Sequence, residues 1–161
     1  MLHANHELIL KIIEKLGSRG ETLSLAESCT GGLVSAQIAS LSGVSKIFNG
    51  AVVSYANHVK SEILDVPEEM IAALGAVSEQ VALKMAEGAR AKLRSTWALS
   101  ITGIAGPTGG TPDKPVGTVC FGLVGPSVAE AQSSLFKGSR TEIQEKSALF
   151  ALNALWAHLD V

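Results

Sequence analysis

The residues with the clearest chemical potential fall in four loops. In AESCTGG, residues 26–32, Ser28, Cys29 and Thr30 stand directly ahead of Gly31 and Gly32. Glycines beside a helix start let backbone N–H groups approach an anion, and the helix dipole favours negative charge there. The segment suits a phosphate cradle or an oxyanion hole, and equally a plain helix cap with a tight turn. It is not a Walker A loop, because no Gly-Lys-Ser/Thr follows. SYANHVK, residues 54–60, holds the chain's one tyrosine, Tyr55, together with Lys60. A lysine beside a hydroxyl becomes a general base when burial or a neighbouring positive charge strips its proton near neutral pH. Without such surroundings it is a solvated surface charge. His58 is a weaker base and, with no second ligand at metal spacing, an ordinary helix residue.

GIAGPTGG, residues 103–110, supplies four glycines and Pro107, flanked by Thr102 and including Thr108. It suits close backbone contact with a ligand, or a plain flexible connection. In FKGSRTEIQ, Arg140 stands just ahead of the last helical segment, where it can pair bidentately with a phosphate. Together the loops hold a hydroxyl nucleophile, a candidate base, backbone donors and a cation. They hold no cofactor fingerprint and no cluster of metal ligands. That combination points to metal-free hydrolysis by nucleophilic catalysis on an anionic small molecule.

The elements that must position these loops are legible from periodicity. Leu8, Ile9, Ile12, Ile13 and Leu16 mark one face of an opening helix that ends near Gly17–Gly20. Leu23 and Leu25 alternate with Thr22 and Ser24, a strand pattern, and LVSAQIASL then reads as a helix. NGAVVSYA is a second strand leading to a helix around NHVKSEILDV. Pro67 opens a short helix stopped by Gly75, and Ser78 caps a longer one carrying Val81, Ala82, Met85, Ala86, Ala89 and Leu93 at helical spacing. TWALSITGIAG is a third strand. VGTVCFGLVG and VAEAQSSLFKG form a hairpin at Gly125–Pro126, and TEIQEKSALFALNALWAHL is a terminal helix. The order predicts a layered α/β/α fold with a mixed sheet and a C-terminal helix, one domain over residues 1–161. Both glycine loops follow strands, at the edge where open α/β sheets bind ligands.

Length and composition bound the rest. The chain has 161 residues, 47% of them hydrophobic and only 4% aromatic, so its core is aliphatic. Disorder and collagen-like repeats are excluded. A formal charge of −2 with no basic run argues against nucleic acid or an anionic membrane as partner. The start of the chain lacks signal-peptide features, and no apolar run of about 18 residues is present to span a bilayer. With two cysteines, Cys29 and Cys120, a reducing cytoplasm is the expected compartment. Leu149, Phe150, Leu152, Leu155 and Trp156 lie around much of the terminal helix, which predicts a homo-oligomer, since a small domain covers one helical stripe more easily than two.

AESCTGG, GAVVSYANHVK, GAVSE at 75–79, SITGIAGPTGG and KPVGTVCFG occur in the order in which they occur in the CinA C-terminal domain family. The resemblance runs from about residue 7 to residue 158. Its enzymatic members are nicotinamide-nucleotide amidases, which convert nicotinamide mononucleotide (NMN) to nicotinic acid mononucleotide and ammonia. The resemblance implies Ser28 as nucleophile, Lys60 as its base and Tyr55 as a hydrogen-bonding partner of the pair, with no cofactor. It further implies Thr30, Gly31 and Gly32 at the oxyanion and phosphate loop, Thr102 and Gly103 lining the pocket, and Arg140 on the nucleotide phosphate. Cys29 competes with Ser28 as the intrinsically better nucleophile. Neighbours in an extended segment face opposite ways, so only one should reach the pocket. The resemblance selects Ser28 and leaves Cys29 packed behind the loop. One departure is Gly138-Ser139-Arg140, where the family commonly reads Gly-Asp-Arg and so supplies a carboxylate to orient the arginine. That departure supports an alternative, a non-catalytic nucleotide-sensing or protein-interaction module. A related amidase with another anionic amide as substrate is a third reading.

Overall fold

The predicted alternation of strands and helices closes into three layers. In this computed structural model, which describes residues 2–161, the order is α1 (His6–Arg19), β1 (Leu23–Glu27), α2 (Leu33–Ala39), β2 (Phe48–Val53), α3 (Asn57–Leu64), α4 (Glu68–Leu74), α5 (Glu79–Leu93), β3 (Trp97–Gly103), β4 (Thr118–Gly125), β5 (Val128–Leu135) and α6 (Arg140–Leu159). The described residues form a five-stranded sheet ordered β2-β1-β3-β4-β5. β1 pairs in parallel with β2 and β3, while β3–β4 and β4–β5 are antiparallel. The sheet is therefore mixed, and the Gly125–Pro126 hairpin joins β4 to β5 as expected.

One face of the sheet carries large aliphatic side chains and the other small ones. Leu23, Leu25, Leu99, Ile101, Val119 and Phe121 pack with Ile9, Ile12 and Leu16 of α1, Val34 and Ile38 of α2, and Leu152 and Leu155 of α6. On the opposite face Ala26 and Ala98 meet Val81, Met85, Ala86 and Ala89 of α5 and Leu64 of α3. Small residues there let α5 approach the sheet. A Cβ added to Gly122 would stand 2.4 Å from the Ala82 carbonyl oxygen, and Ser100 Oγ donates to that same oxygen. Ser78 caps α5 through the Val81 N–H at 3.1 Å, as its sequence predicts. Pro67 sits one position ahead of α4 rather than inside it.

Two segments bury more than their sequence pattern requires. Leu23 and Leu25 alternate with Thr22 and Ser24 in the strand expected, and every residue of β1 is buried. The strand is central, with helices on both faces, and Ser24 buries its hydroxyl against Ser95 Oγ at 2.6 Å. The apolar circumference of α6 is likewise covered from within. Phe150 packs against Phe121, ring centroids 4.4 Å apart, Trp156 rests on the core, and Leu149 alone of the five stays exposed. That feature therefore no longer argues for a second copy. Among the described residues, no helix is long and apolar enough to cross a membrane.

This topology gathers the functional loops. β1, β2 and β3 run in parallel, so the segments after all three emerge at one edge. β5 reverses twice from β3 and delivers the start of α6 to that same edge.

Candidate active site

Ser28 follows directly on β1. Its N–H donates to the Ile101 carbonyl of β3 at 2.9 Å, and its carbonyl accepts from Gly31 N–H at 3.0 Å, closing a tight turn. Gly31 and Gly32 take φ values of 59° and 102°, where a Cβ is disfavoured. Gly32 is the N-cap of α2 and has no side chain to satisfy that helix's first amides. Glu27 does so from the preceding strand. It is completely buried. Its Oε2 accepts from Thr30 Oγ1 (2.7 Å), Gly32 N (2.9 Å) and Val34 N (3.3 Å), and its Oε1 from Ser35 N (2.7 Å) and Ser35 Oγ (2.6 Å). Sequence reasoning missed this residue. Its signal was a carboxylate ending an apolar strand just before a glycine-capped helix.

Lys60 arrives from the other side of β1. Ser54 N–H donates to the Glu27 carbonyl at 2.8 Å, and the chain then turns into α3, whose fourth residue is Lys60. Although charged, Lys60 is only 1% exposed. Its Nζ lies 3.0 Å from Ser28 Oγ, 2.6 Å from the Ser54 carbonyl oxygen and 3.1 Å from that of Tyr55. An ammonium donates to all three. The neutral amine keeps two donors for the two carbonyls and turns its lone pair to the Ser28 hydroxyl. Burial disfavours the charged form and brings the Lys60 pKa down to about 8. About a tenth of the lysine is therefore neutral at pH 7.

Ser28 and Lys60 border a cavity of about 260 Å³ whose other walls include Tyr55, Thr102, Gly103 and Arg140. Six of the nine residues singled out from the sequence therefore meet here. Thr30, Gly31 and Gly32 do not line the cavity. The Thr30 hydroxyl and the Gly32 amide go to Glu27, and the Gly31 amide to Ser28, so these three groups shape the loop instead of facing a ligand. Tyr55 also differs from expectation. It is 57% exposed, its carbonyl rather than its hydroxyl meets Lys60, and its hydroxyl accepts from Arg140 Nη2 at 2.7 Å. Thr102 donates to the Ala76 carbonyl at 2.9 Å, tying β3 to the segment before α5.

Cys29 is a correction. It is buried in the core cluster, yet it borders the cavity beside Ser28. The alternation rule fails because Ser28 opens a turn instead of continuing an extended strand. Burial pushes the Cys29 thiol up to about 12, so it remains a protonated thiol. Arg140 meanwhile keeps its place without the family's aspartate. Its Nη1 donates to the Gly106 carbonyl at 2.8 Å, while Ser139 caps α6 in a reciprocal capping box with Glu142. Among the described residues lining the cavity, the charged ones are Lys60 and Arg140.

A three-layer α/β/α domain with a buried serine–lysine pair at the carboxyl edge of its parallel strands is the class that fold and site define. The chain belongs to the CinA C-terminal domain family, whose model matches residues 5–159. It is 50% identical over 152 residues to a CinA-like protein of Anaeromyxobacter sp. (strain Fw109-5), covering 94% of this chain and 37% of that protein. The chain thus spans little more than a third of the length of this curated relative. A crystal structure of a CinA superfamily protein from Klebsiella pneumoniae 700603 superposes with a TM-score of 0.92 at 32% identity, covering 97% of this chain and 98% of that one. The competence/damage inducible protein CihA from Agrobacterium tumefaciens gives 0.90 at 37% identity, over 96% and 94% of the two chains.

Proposed function

We propose that this chain hydrolyses the carboxamide of NMN, with Ser28 as nucleophile and Lys60 as base. The observation that carries the reading is Lys60 Nζ, buried and poised 3.0 Å from Ser28 Oγ with two carbonyls holding its other donors. Neutral Lys60 takes the Ser28 proton as Oγ attacks the amide carbon. The resulting ammonium then protonates the departing nitrogen, releasing ammonia and leaving an ester on Ser28. Water, deprotonated by Lys60, hydrolyses that ester to the carboxylate and restores the hydroxyl. The cationic lining supports an anionic substrate, with Arg140 on the phosphate.

The purified protein is expected to release ammonia from NMN without added metal, far faster than from nicotinamide. Ser28→Ala abolishes release and leaves the fold intact by circular dichroism; full activity in that variant removes Ser28 as the nucleophile. Arg140→Ala removes a charge-assisted contact and should raise KM for NMN by roughly 10- to 100-fold. Nicotinamide riboside, which lacks the phosphate, should lose little with the same substitution. An equal loss on both substrates assigns Arg140 to holding Tyr55 and Gly106 rather than to the phosphate. The binding-only alternative drew on Ser139, which the structure accounts for as the cap of α6.

A further inference from the structure

Two consecutive peptide units beside the nucleophile have their carbonyls tied down. The Ser28 carbonyl accepts from Gly31 N–H at 3.0 Å. The Cys29 carbonyl accepts from Gln144 Nε2 at 2.9 Å, a contact that reaches across from α6. A trans peptide is planar, with its N–H directed opposite to its C=O. Gly31 therefore sets the direction of the Cys29 N–H, and Gln144 that of the Thr30 N–H. The Cys29 N–H faces its own thiol, whereas the Thr30 N–H has no hydrogen-bond acceptor among the described residues; those of Ser28, Gly31, Gly32 and Leu33 are all bonded. Unpaired N–H groups in a turn bind anions, and the Thr30 N–H stands two residues after the nucleophile in the turn that Ser28 opens.

We propose that Gln144 is a positioning residue for Ser28 chemistry, holding the Cys29 carbonyl so that the Thr30 N–H is aimed at the oxyanion formed when Ser28 attacks. The inference rests on Ser28 being the nucleophile. Gln144 is not needed to dock its helix, because Ile143, Ala148, Ala151, Leu152, Leu155 and Leu159 are buried around it. It lies four residues after Arg140 and so shares a helix face with it. The capping box at Ser139 and Glu142 fixes the start of that face. One rigid element thus carries both the cavity's arginine and the bond that orients the oxyanion donor. Only the nitrogen end of the side-chain amide can meet a carbonyl, so the orientation of Gln144 follows from its partner.

The test uses an oxyanion that forms with or without NMN turnover. Ser28 in the full chain is acylated with p-nitrophenyl acetate and followed by nitrophenolate release and mass spectrometry. Gln144→Leu and the acceptor-only Gln144→Glu should each slow acylation by about 10-fold or more. The pH inflection near 8 set by Lys60 and the thermal midpoint should stay in place. Gln144→Lys, which keeps an N–H donor at similar reach, should retain most of the rate. With NMN, kcat falls and KM holds. On the thioamide counterpart, whose sulfur accepts hydrogen bonds weakly, the loss shrinks. Wild-type acylation rates in Gln144→Leu and Gln144→Glu overturn the inference, as does a loss tracked by a lowered midpoint or a moved inflection. A wild-type protein that acylates but releases no ammonia from NMN overturns the amidase reading alone, and the acylation ratios still decide the role of Gln144. No acylation of wild-type Ser28 overturns both.

Discussion

Lys60→Met lowers the rate of ammonia release by roughly 10²- to 10⁴-fold, the usual contribution of a positioned general base. In the wild type, kcat/KM rises about tenfold per pH unit in acid and levels off above the Lys60 pKa of about 8. In the variant the residual rate is flat through that range. A variant that retains both the rate and the inflection eliminates Lys60 as the base. The same residue leaves a mark on stability. Its folded-state pKa lies below the ordinary value of 10.5, so between about pH 8 and 10.5 the unfolded chain binds more protons than the folded one. Stability therefore rises with pH across that window, and the penalty for burying the ammonium is complete below it. Lys60 is almost wholly buried, so little of this is screened. Comparing urea unfolding at about pH 7 and pH 11, the wild type gains about 3 kcal/mol that Lys60→Met does not. Equal pH dependence in the two proteins means that the lysine keeps an ordinary pKa when folded.

The elements of this fold were legible because their periodicities are clean and their ends carry strong signals. Ser78 announces α5, and Gly125–Pro126 announces the hairpin. The site residues were legible by motif, but the sequence left their environments open. Lys60 in isolation reads as a solvated charge, and only the turn after β2, tied by Ser54 to the Glu27 carbonyl, brings it buried beside Ser28. Tyr55 falls at the cavity, yet which atom faces which partner depends on where α6 places Arg140, 85 residues later in the chain. Gln144 has no local signal at all, since its partner is a backbone carbonyl in the first loop. The position of Cys29 has a similar cause. A tight turn obeys hydrogen-bond closure rather than alternation, so Ser28 and Cys29 both reach the cavity.

Glu27 shows how much of the site rests on that closure, and Glu27→Gln is expected to destabilise the protein by about 2–4 kcal/mol. All five of its partners are N–H or O–H groups of the nucleophile loop and α2. A carboxylate accepts all five with its two oxygens, whereas a carboxamide must turn an NH₂ towards one set. If that nitrogen faces Thr30, Gly32 and Val34, two backbone amides lose their acceptor. If it faces Ser35, the hydroxyl can rotate to accept, but the Ser35 N–H is left opposite a donor. The second arrangement is the cheaper, and it still forfeits the charge that opposes the dipole at the start of α2. For a chain of this length the loss corresponds to a fall in thermal midpoint of roughly 5–15 °C. Ser28 is the next residue, and its turn is built on amides whose neighbours Glu27 holds. Below the midpoint, where the variant is fully folded, kcat should therefore fall by about 10-fold or more while KM changes little. Glu27→Asp keeps the charge but is one methylene short of its partners, so it should resemble Glu27→Gln in midpoint. An unchanged midpoint in Glu27→Gln removes the carboxylate as the anchor of the loop. A lowered midpoint with full activity in the folded range confines Glu27 to holding α2, and leaves the placement of Ser28 to its N–H bond with Ile101 and to the turn closed by Gly31.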